Sequence, residues 1–98
     1  MAIAILSDNV TVDGFNFTGQ VSAIYVDDSD NVKILNTVIN ITDSTFESNV
    51  CIEIHNSNNV LVDNCVLLLS IEPQNGTYSN EVIFAEDSDD LIISNNEI

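Results

Sequence analysis

The chain has 98 residues, of which 16 are Asp or Glu and one is Lys or Arg, so its formal net charge is −15. Nucleic acids and anionic membrane surfaces are bound chiefly through Lys and Arg, so this balance excludes both as partners. Hydrophobic residues make up 45%, ample for the modest core of one domain, but no apolar run reaches the length of a membrane span.

In chain order, one phrase recurs four times. The first copy has Ile3 and Ile5, then Ser7, Val10, Val12, Gly14 and Phe17; the opening MAIAIL fits this copy as a strand and lacks the basic start and long apolar run of a secretory signal. The second has Ile24 and Val26, then Ser29, Val32, Ile34, Asn36 and Ile39. The third has Ile52 and Ile54, then Ser57, Val60, Val62, Asn64 and Leu67, and the fourth has Ile83 and Ala85, then Ser88, Leu91, Ile93, Asn95 and Ile98. The anchors Val10, Val32, Val60 and Leu91 are 22, 28 and 31 residues apart. All the variation falls in Thr18 to Ser22, Ile41 to Val50 and Leu68 to Glu81, where insertions belong on surface loops.

Within each copy apolar and polar residues alternate, as in Ile52-Glu53-Ile54 and Val60-Leu61-Val62, and β-branched residues dominate. That is the period of a strand. Three short strands per copy are separated by Ser, Asp, Asn and Gly, which suit tight and left-handed turns. No single copy hides its own apolar face, so the copies must stack, like strand on like strand, about 4.8 Å apart. The expected fold is all-β, a right-handed single-stranded parallel β-helix of three to four coils, with handedness following the rule for parallel crossovers. Asn36, Asn64 and Asn95 then stack as an asparagine ladder, and Gly14 opens their column where a turn needs backbone freedom.

The segments SDNVTVDGFNF, SDNVKILNTVI, SNNVLVDNCVL and SDDLIISNNEI resemble the parallel β-helix repeat of the pectin-lyase-like superfamily across essentially all 98 residues. That superfamily includes polysaccharide lyases, glycoside hydrolases, phage tailspikes and large prokaryotic surface proteins described as adhesin-like. The acidic, Asn- and Thr-rich, Arg-free character of this chain is most similar to the last group. The resemblance implies a non-catalytic segment of an extracellular or cell-surface adhesin-like protein, a structural rod that displays loops and binds surface glycans or polysaccharides of a host or partner cell. The alternative is a fragment of a polysaccharide-degrading enzyme, a lyase or glycoside hydrolase of the same superfamily, and a third reading is a plain structural spacer.

Alternation puts Tyr25, Glu53 and Phe84 outward in successive first strands, with Asp27, His55 and Glu86 beside them and the two longest loops rising alongside. An aromatic ring to stack on and carboxylates to accept from hydroxyls are what sugar binding uses, so Tyr25, Glu53, His55 and Phe84 are the ligand-binding candidates. A lone imidazole between polar turn residues is more often a surface group than a base. Glu53 and Glu86 would stand near the short end of the range, about 5 to 9.5 Å, that paired glycosidase carboxylates require. The polygalacturonase-like members, however, carry N-T-D, D-D, G-H-G and R-I-K motifs. Here Asn36-Thr37 runs into Val38, His55 lies between Ile54 and Asn56, and Asp27-Asp28 and Asp89-Asp90 match a dipeptide alone. The lyases abstract a proton with Arg or Lys, and Lys33 falls in a second strand away from the loops, so no catalytic residue is assigned.

Asp27, Asp28 and Asp30 form an acidic turn whose hard oxygen ligands suit Ca²⁺. The equivalent third turn has His55, Asn56, Asn58 and Asn59, and repulsion between exposed carboxylates at coil spacing is only about 1 kcal/mol in water, so a solvated face also accounts for the stripe. Cys51 and Cys65 fall at different phases of the repeat, which points them to different sides of the coil and argues against a disulfide. Sequons at Asn9, Asn16, Asn40 and Asn75 are a weak signal in so Asn- and Thr-rich a chain, with Asn75 the one expected to be exposed. Open coil ends present strand edges and a section of apolar core. Residues 1–98 are therefore expected to form a single β-helix segment, a piece of a longer repeat array prone to end-to-end self-association.

Overall fold

A computed structural model describes residues 2–20, 22–43, 49–70 and 80–98. Among the described residues there are eleven strands: β1 Ile3–Ile5, β2 Thr11–Asp13, β3 Asn16–Gln20, β4 Ile24–Asp27, β5 Val32–Leu35, β6 Val38–Asp43, β7 Asn49–His55, β8 Val60–Asp63, β9 Val66–Leu69, β10 Asn80–Glu86 and β11 Leu91–Ser94. No helix occurs among the described residues, and none is long and apolar enough to cross a membrane. The strands form three parallel sheets, β1-β4-β7-β10, β2-β5-β8-β11 and β3-β6-β9. Each of the first three repeats contributes one strand to each sheet in turn and the fourth contributes one to each of the first two, which is a parallel β-helix-like architecture.

The register follows the sequence repeat residue by residue. Ile3 pairs with Ile24, Ile24 with Ile52 and Ile52 with Ile83, while Val32 pairs with Val60 and Val60 with Leu91. Because side chains alternate between faces, this register sends every anchor inward, and a one-residue slip would expose them all. Ile24, Val26, Val32, Ile34, Ile39, Ile41, Ile52, Ile54, Val62 and Leu67 are fully buried in one contiguous core. Each such side chain contributes about 1.5–3 kcal/mol of transfer free energy. The column Val12, Ile34, Val62 ends on Ile93, which is 48% exposed because β11 is the outermost strand of its sheet.

The corners between strands are built from left-handed residues. Asp28, Asn56 and Asp87 have φ of 49°, 50° and 52°, and Asn9, Asn31, Asn59 and Asp90 have φ of 61°, 59°, 59° and 56°. At the next corner Gly14 has φ 82° and Asn36, Asn64 and Asn95 have φ of 50°, 56° and 54°. Asn and Asp are the side-chain-bearing residues that enter this region most readily. Gly14 is required by its backbone angle alone, since a Cβ there would meet nothing within 4 Å.

The backbone donors of one such corner, from Asp28 to Asn31, are all satisfied by neighbouring repeats. Asp28 N–H donates to His55 O (3.1 Å), Ser29 N–H to Ser57 Oγ (3.0 Å), Asp30 N–H to Asp8 Oδ1 (2.8 Å) and Asn31 N–H to Asn58 O (3.1 Å). One repeat later the pattern returns: Asn56 N–H to Glu86 O, Ser57 N–H to Ser88 Oγ, Asn58 N–H to Asp30 Oδ1 and Asn59 N–H to Asp89 O. The serine hydroxyls in turn donate to the carbonyl two residues back, Ser29 to Asp27 O and Ser57 to His55 O, each at 2.8 Å. Ser29 and Ser57 are fully buried, so their recurrence three residues before each anchor has a structural cause.

The asparagine ladder forms, with one change. Asn64 Nδ2 donates to Asn36 Oδ1 at 2.7 Å and Asn36 Nδ2 to Asp13 Oδ1 at 2.8 Å, but Asn95 Nδ2 turns to the Asp63 carboxylate at 2.9 Å. A charged acceptor outcompetes a neutral amide oxygen. A second ladder links Asn31 Nδ2 to Asn9 Oδ1 (3.2 Å) and Asn59 Nδ2 to Asn31 Oδ1.

Cys51 and Cys65 are both buried free thiols; Cys51 Sγ faces Leu68 O and Cys65 Sγ faces Ile34 O. Burial pushes the Cys51 thiol up to about 11. One further expectation changes. The expected loops are shorter than their sequence spans, because β6 runs to Asp43, β7 starts at Asn49 and β10 starts at Asn80, paired with Asn49. Backbone pairing with the next repeat continues past the point where side-chain alternation stops.

Two predictions follow from this packing. Ile52→Ala should cost about 2–5 kcal/mol by cavity formation, and Ile52→Asp, which buries an unpaired charge, should abolish the cooperative melting transition altogether; an Ile52→Asp variant melting like the parent would remove the inward stack. The second concerns Asp63, whose Oδ1 accepts from Asn95 Nδ2 and Ser94 Oγ (both 2.9 Å), bonds that hold its carboxyl below the ordinary 3.8. Its folded value is depressed, so its stabilising contribution is present above the unfolded value and lost as pH falls through the folded one. Asp63→Asn should therefore lose less melting temperature than the parent between about pH 4 and pH 2, as followed by circular dichroism; equal losses would show that the carboxylate does not hold β11.

Candidate functional site

The outward face of the sheet β1-β4-β7-β10 gathers the chemistry-bearing side chains. β4 supplies Tyr25 and Asp27, β7 supplies Glu53 and His55, and β10 supplies Phe84 and Glu86. Their inward neighbours Ile24, Ile52 and Ile83 set the register, so Tyr25, Glu53 and Phe84 fall opposite one another, as do Asp27, His55 and Glu86. The core positions thereby fix what the outer face presents.

His55 is the centre of the group. Its ring lies 5.2 Å from that of Tyr25, tilted 36°, and 5.6 Å from that of Phe84, tilted 45°, centroid to centroid. Its Nε2 stands 3.6 Å from Glu53 Oε2 and its Nδ1 3.3 Å from Glu86 Oε2. The imidazole thus bridges two carboxylates from adjacent strands while packing between two aromatic rings. The His55 and Glu53 side chains are 21% and 22% exposed and that of Glu86 is 57% exposed, so Glu53 is the sheltered carboxylate and Glu86 the open one. Partial burial pushes the Tyr25 phenol up, and the charges of Asp27 and Glu53 push it further the same way.

All four ligand-binding candidates, Tyr25, Glu53, His55 and Phe84, come together here. The loop from Ser70 to Glu81 that was expected to rise beside them lies largely outside the described residues. His55, expected as a solvated surface group, is instead packed and bridged, because the rings of Tyr25 and Phe84, each opposite Glu53 in register, lie diagonally against it. Sequence alone gives its face but not these diagonal contacts.

Asp27, Asp28 and Asp30, the calcium candidates, occupy one corner but are drawn to different tasks. Asp28 is the left-handed residue, Asp30 Oδ1 accepts the Asn58 N–H at 2.9 Å, and Asp27 Oδ1 accepts from Asn56 Nδ2 at 3.4 Å. Among the described residues no group of three or more His, Cys, Asp and Glu side chains is placed to share a metal ion. Asp8, Asp30 and Asn58 form a ladder in which each side-chain oxygen caps the next backbone N–H, a task Asn58 performs as well as an Asp. Of the sequons, Asn9 and Asn16 are exposed, Asn40 is half-buried with Oδ1 lacking a hydrogen-bond partner among the described residues, and Asn75 lies outside them.

Comparisons with protein-family models, with curated proteins and with solved structures find no match for this chain.

The electrostatics of the face can be checked on Tyr25 itself. In a Tyr78→Phe background, absorbance titration should place the remaining phenol above its ordinary 10.0, and adding Glu53→Gln should bring it part of the way back, burial being the larger cause. A midpoint that ignores Glu53 would mean that the carboxylate does not face the ring.

Proposed function

We propose that this chain is a non-catalytic β-helical segment of an extracellular or cell-surface adhesin-like protein, and that the Tyr25–His55–Phe84 face is its glycan-binding surface. The observation that carries this reading is the gathering of three rings and two carboxylates on one outward sheet face. Rings offer apolar surface for the C–H faces of a sugar, and carboxylates accept from its hydroxyls. The finer architecture belongs to the same proposal: a right-handed single-stranded parallel β-helix of a little over three coils, of the pectin-lyase-like kind, with handedness taken from the rule for parallel crossovers. The four-fold repeat and its resemblance to that superfamily support it.

The same geometry speaks against hydrolysis of a glycosidic bond at this face. Paired catalytic carboxylates need the space between them free for the sugar or a water molecule. Here an imidazole stands within 3.6 Å of one carboxylate and 3.3 Å of the other. Lyase chemistry lacks its base, since Lys33, the one Lys or Arg side chain, is on β5 in a different sheet.

Glycan-array screening followed by calorimetric titration of the hits tests the proposal. Removing both rings with Tyr25→Ala and Phe84→Ala should cost about 1–3 kcal/mol, roughly 5- to 150-fold in Kd, if each ring contributes as an aromatic contact does. Binding that survives the double substitution would move the site elsewhere, and an array without hits would remove the glycan-binding role.

A further inference from the structure

We infer that the Tyr25–His55–Phe84 face selects sugars with a free ammonium group, that is, hexosamines without the N-acetyl group. The inference rests on the glycan-binding reading and names its ligand class. It starts from a count of charges. The two nitrogens of His55 face carboxylate oxygens, Glu86 at 3.3 Å and Glu53 at 3.6 Å, and even an imidazolium donating to both would set one positive charge against two negative ones. Asp27 stands opposite His55 in register and adds a third negative charge to the same face.

No Lys or Arg side chain answers the remaining demand, because the single one in the chain is Lys33, exposed on the outer side of β5 in another sheet. An ammonium group from a ligand would supply the missing positive charge. The Tyr25 and Phe84 rings, each opposite Glu53 in register, stand where they can add cation–π attraction to the ion pair. Uronic acids, by contrast, would meet the surface carboxylates and the net charge of −15. An N-acetylated amine brings a neutral amide, which leaves the charge demand as it was. A sugar chain suits the site better than a basic peptide because the rings recur at 5.2 and 5.6 Å, a step comparable to one pyranose unit of an extended chain.

The test is calorimetric titration at low salt with four probes: a glucosamine trimer, an N-acetylglucosamine trimer, a galacturonate trimer and tri-lysine. Two double variants accompany the parent. Glu53→Gln/Glu86→Gln removes the site carboxylates, and Asp89→Asn/Asp90→Asn removes the same charge in columns where Asn58 and Asn59 already stand in the preceding repeat. Melting curves of both variants establish that each is folded. The expected result is that the glucosamine trimer binds at least about tenfold tighter than its N-acetylated form, and that the site variant loses this preference while the control keeps it. Equal binding of the two trimers would overturn the charge selection and leave the glycan surface standing. Equal loss in both variants would reduce the effect to overall charge and overturn the inference. Tri-lysine binding as tightly, with the same sensitivity to Glu53 and Glu86, would reassign the site to basic peptides. No binding of any of the three sugars would count against the glycan-binding reading itself.

Discussion

A chain that turns sharply several times per repeat must find partners for the backbone N–H groups it exposes at each turn, and this constraint organises the molecule. An unpaired buried donor costs about 1–3 kcal/mol, so corners repeated down a stack could not be left unfilled. At the corner from Asp28 to Asn31 all four N–H groups are taken up: two by carbonyls of the next repeat, one by the next serine hydroxyl and one by the aspartate of the repeat before. The left-handed angles at Asp28 and Asn31 are part of the same solution, since both N–H groups reach carbonyls of the next repeat.

Every partner in that accounting belongs to a neighbouring repeat, so the corners lock the register as firmly as the core does. Apolar columns alone would tolerate some sliding, because burial has no direction. Hydrogen bonds between like positions do not. The two asparagine ladders and the serine column thus turn a generic apolar stack into one with a single alignment. Part of the acidic surface has the same origin. Asp8 and Asp30 are ladder members as well as charges, which gives them a reason to be present that needs no metal.

The outer face of the first sheet inherits this alignment. His55 bridges Glu53 and Glu86 because the register holds β7 against β10 with His55 opposite Glu86. Side chains two residues apart on one strand, or one strand apart, lie within reach of one another.

Much of the fold was legible in the sequence because a parallel stack repeats its environment, so each structural demand is written several times at constant offsets. Ile24, Ile52 and Ile83 announce an inward column, Asn36 and Asn64 a corner, and Gly14 the same corner without an amide. The recurring serines were visible too, but their role was not, because it depends on the hydroxyl receiving an N–H from the neighbouring repeat. The switch of Asn95 to Asp63, the burial of both cysteines and the second ladder through Asn9, Asn31 and Asn59 likewise needed tertiary structure. Sequence spacing states which residues share a column and a face; it does not state which of several nearby acceptors a side chain chooses. For the candidate site the division is the same. Alternation alone places Tyr25, Glu53, His55 and Phe84 on one face, whereas the diagonal packing that brings His55 between two rings and two carboxylates arises from distances that only the stacked sheet sets.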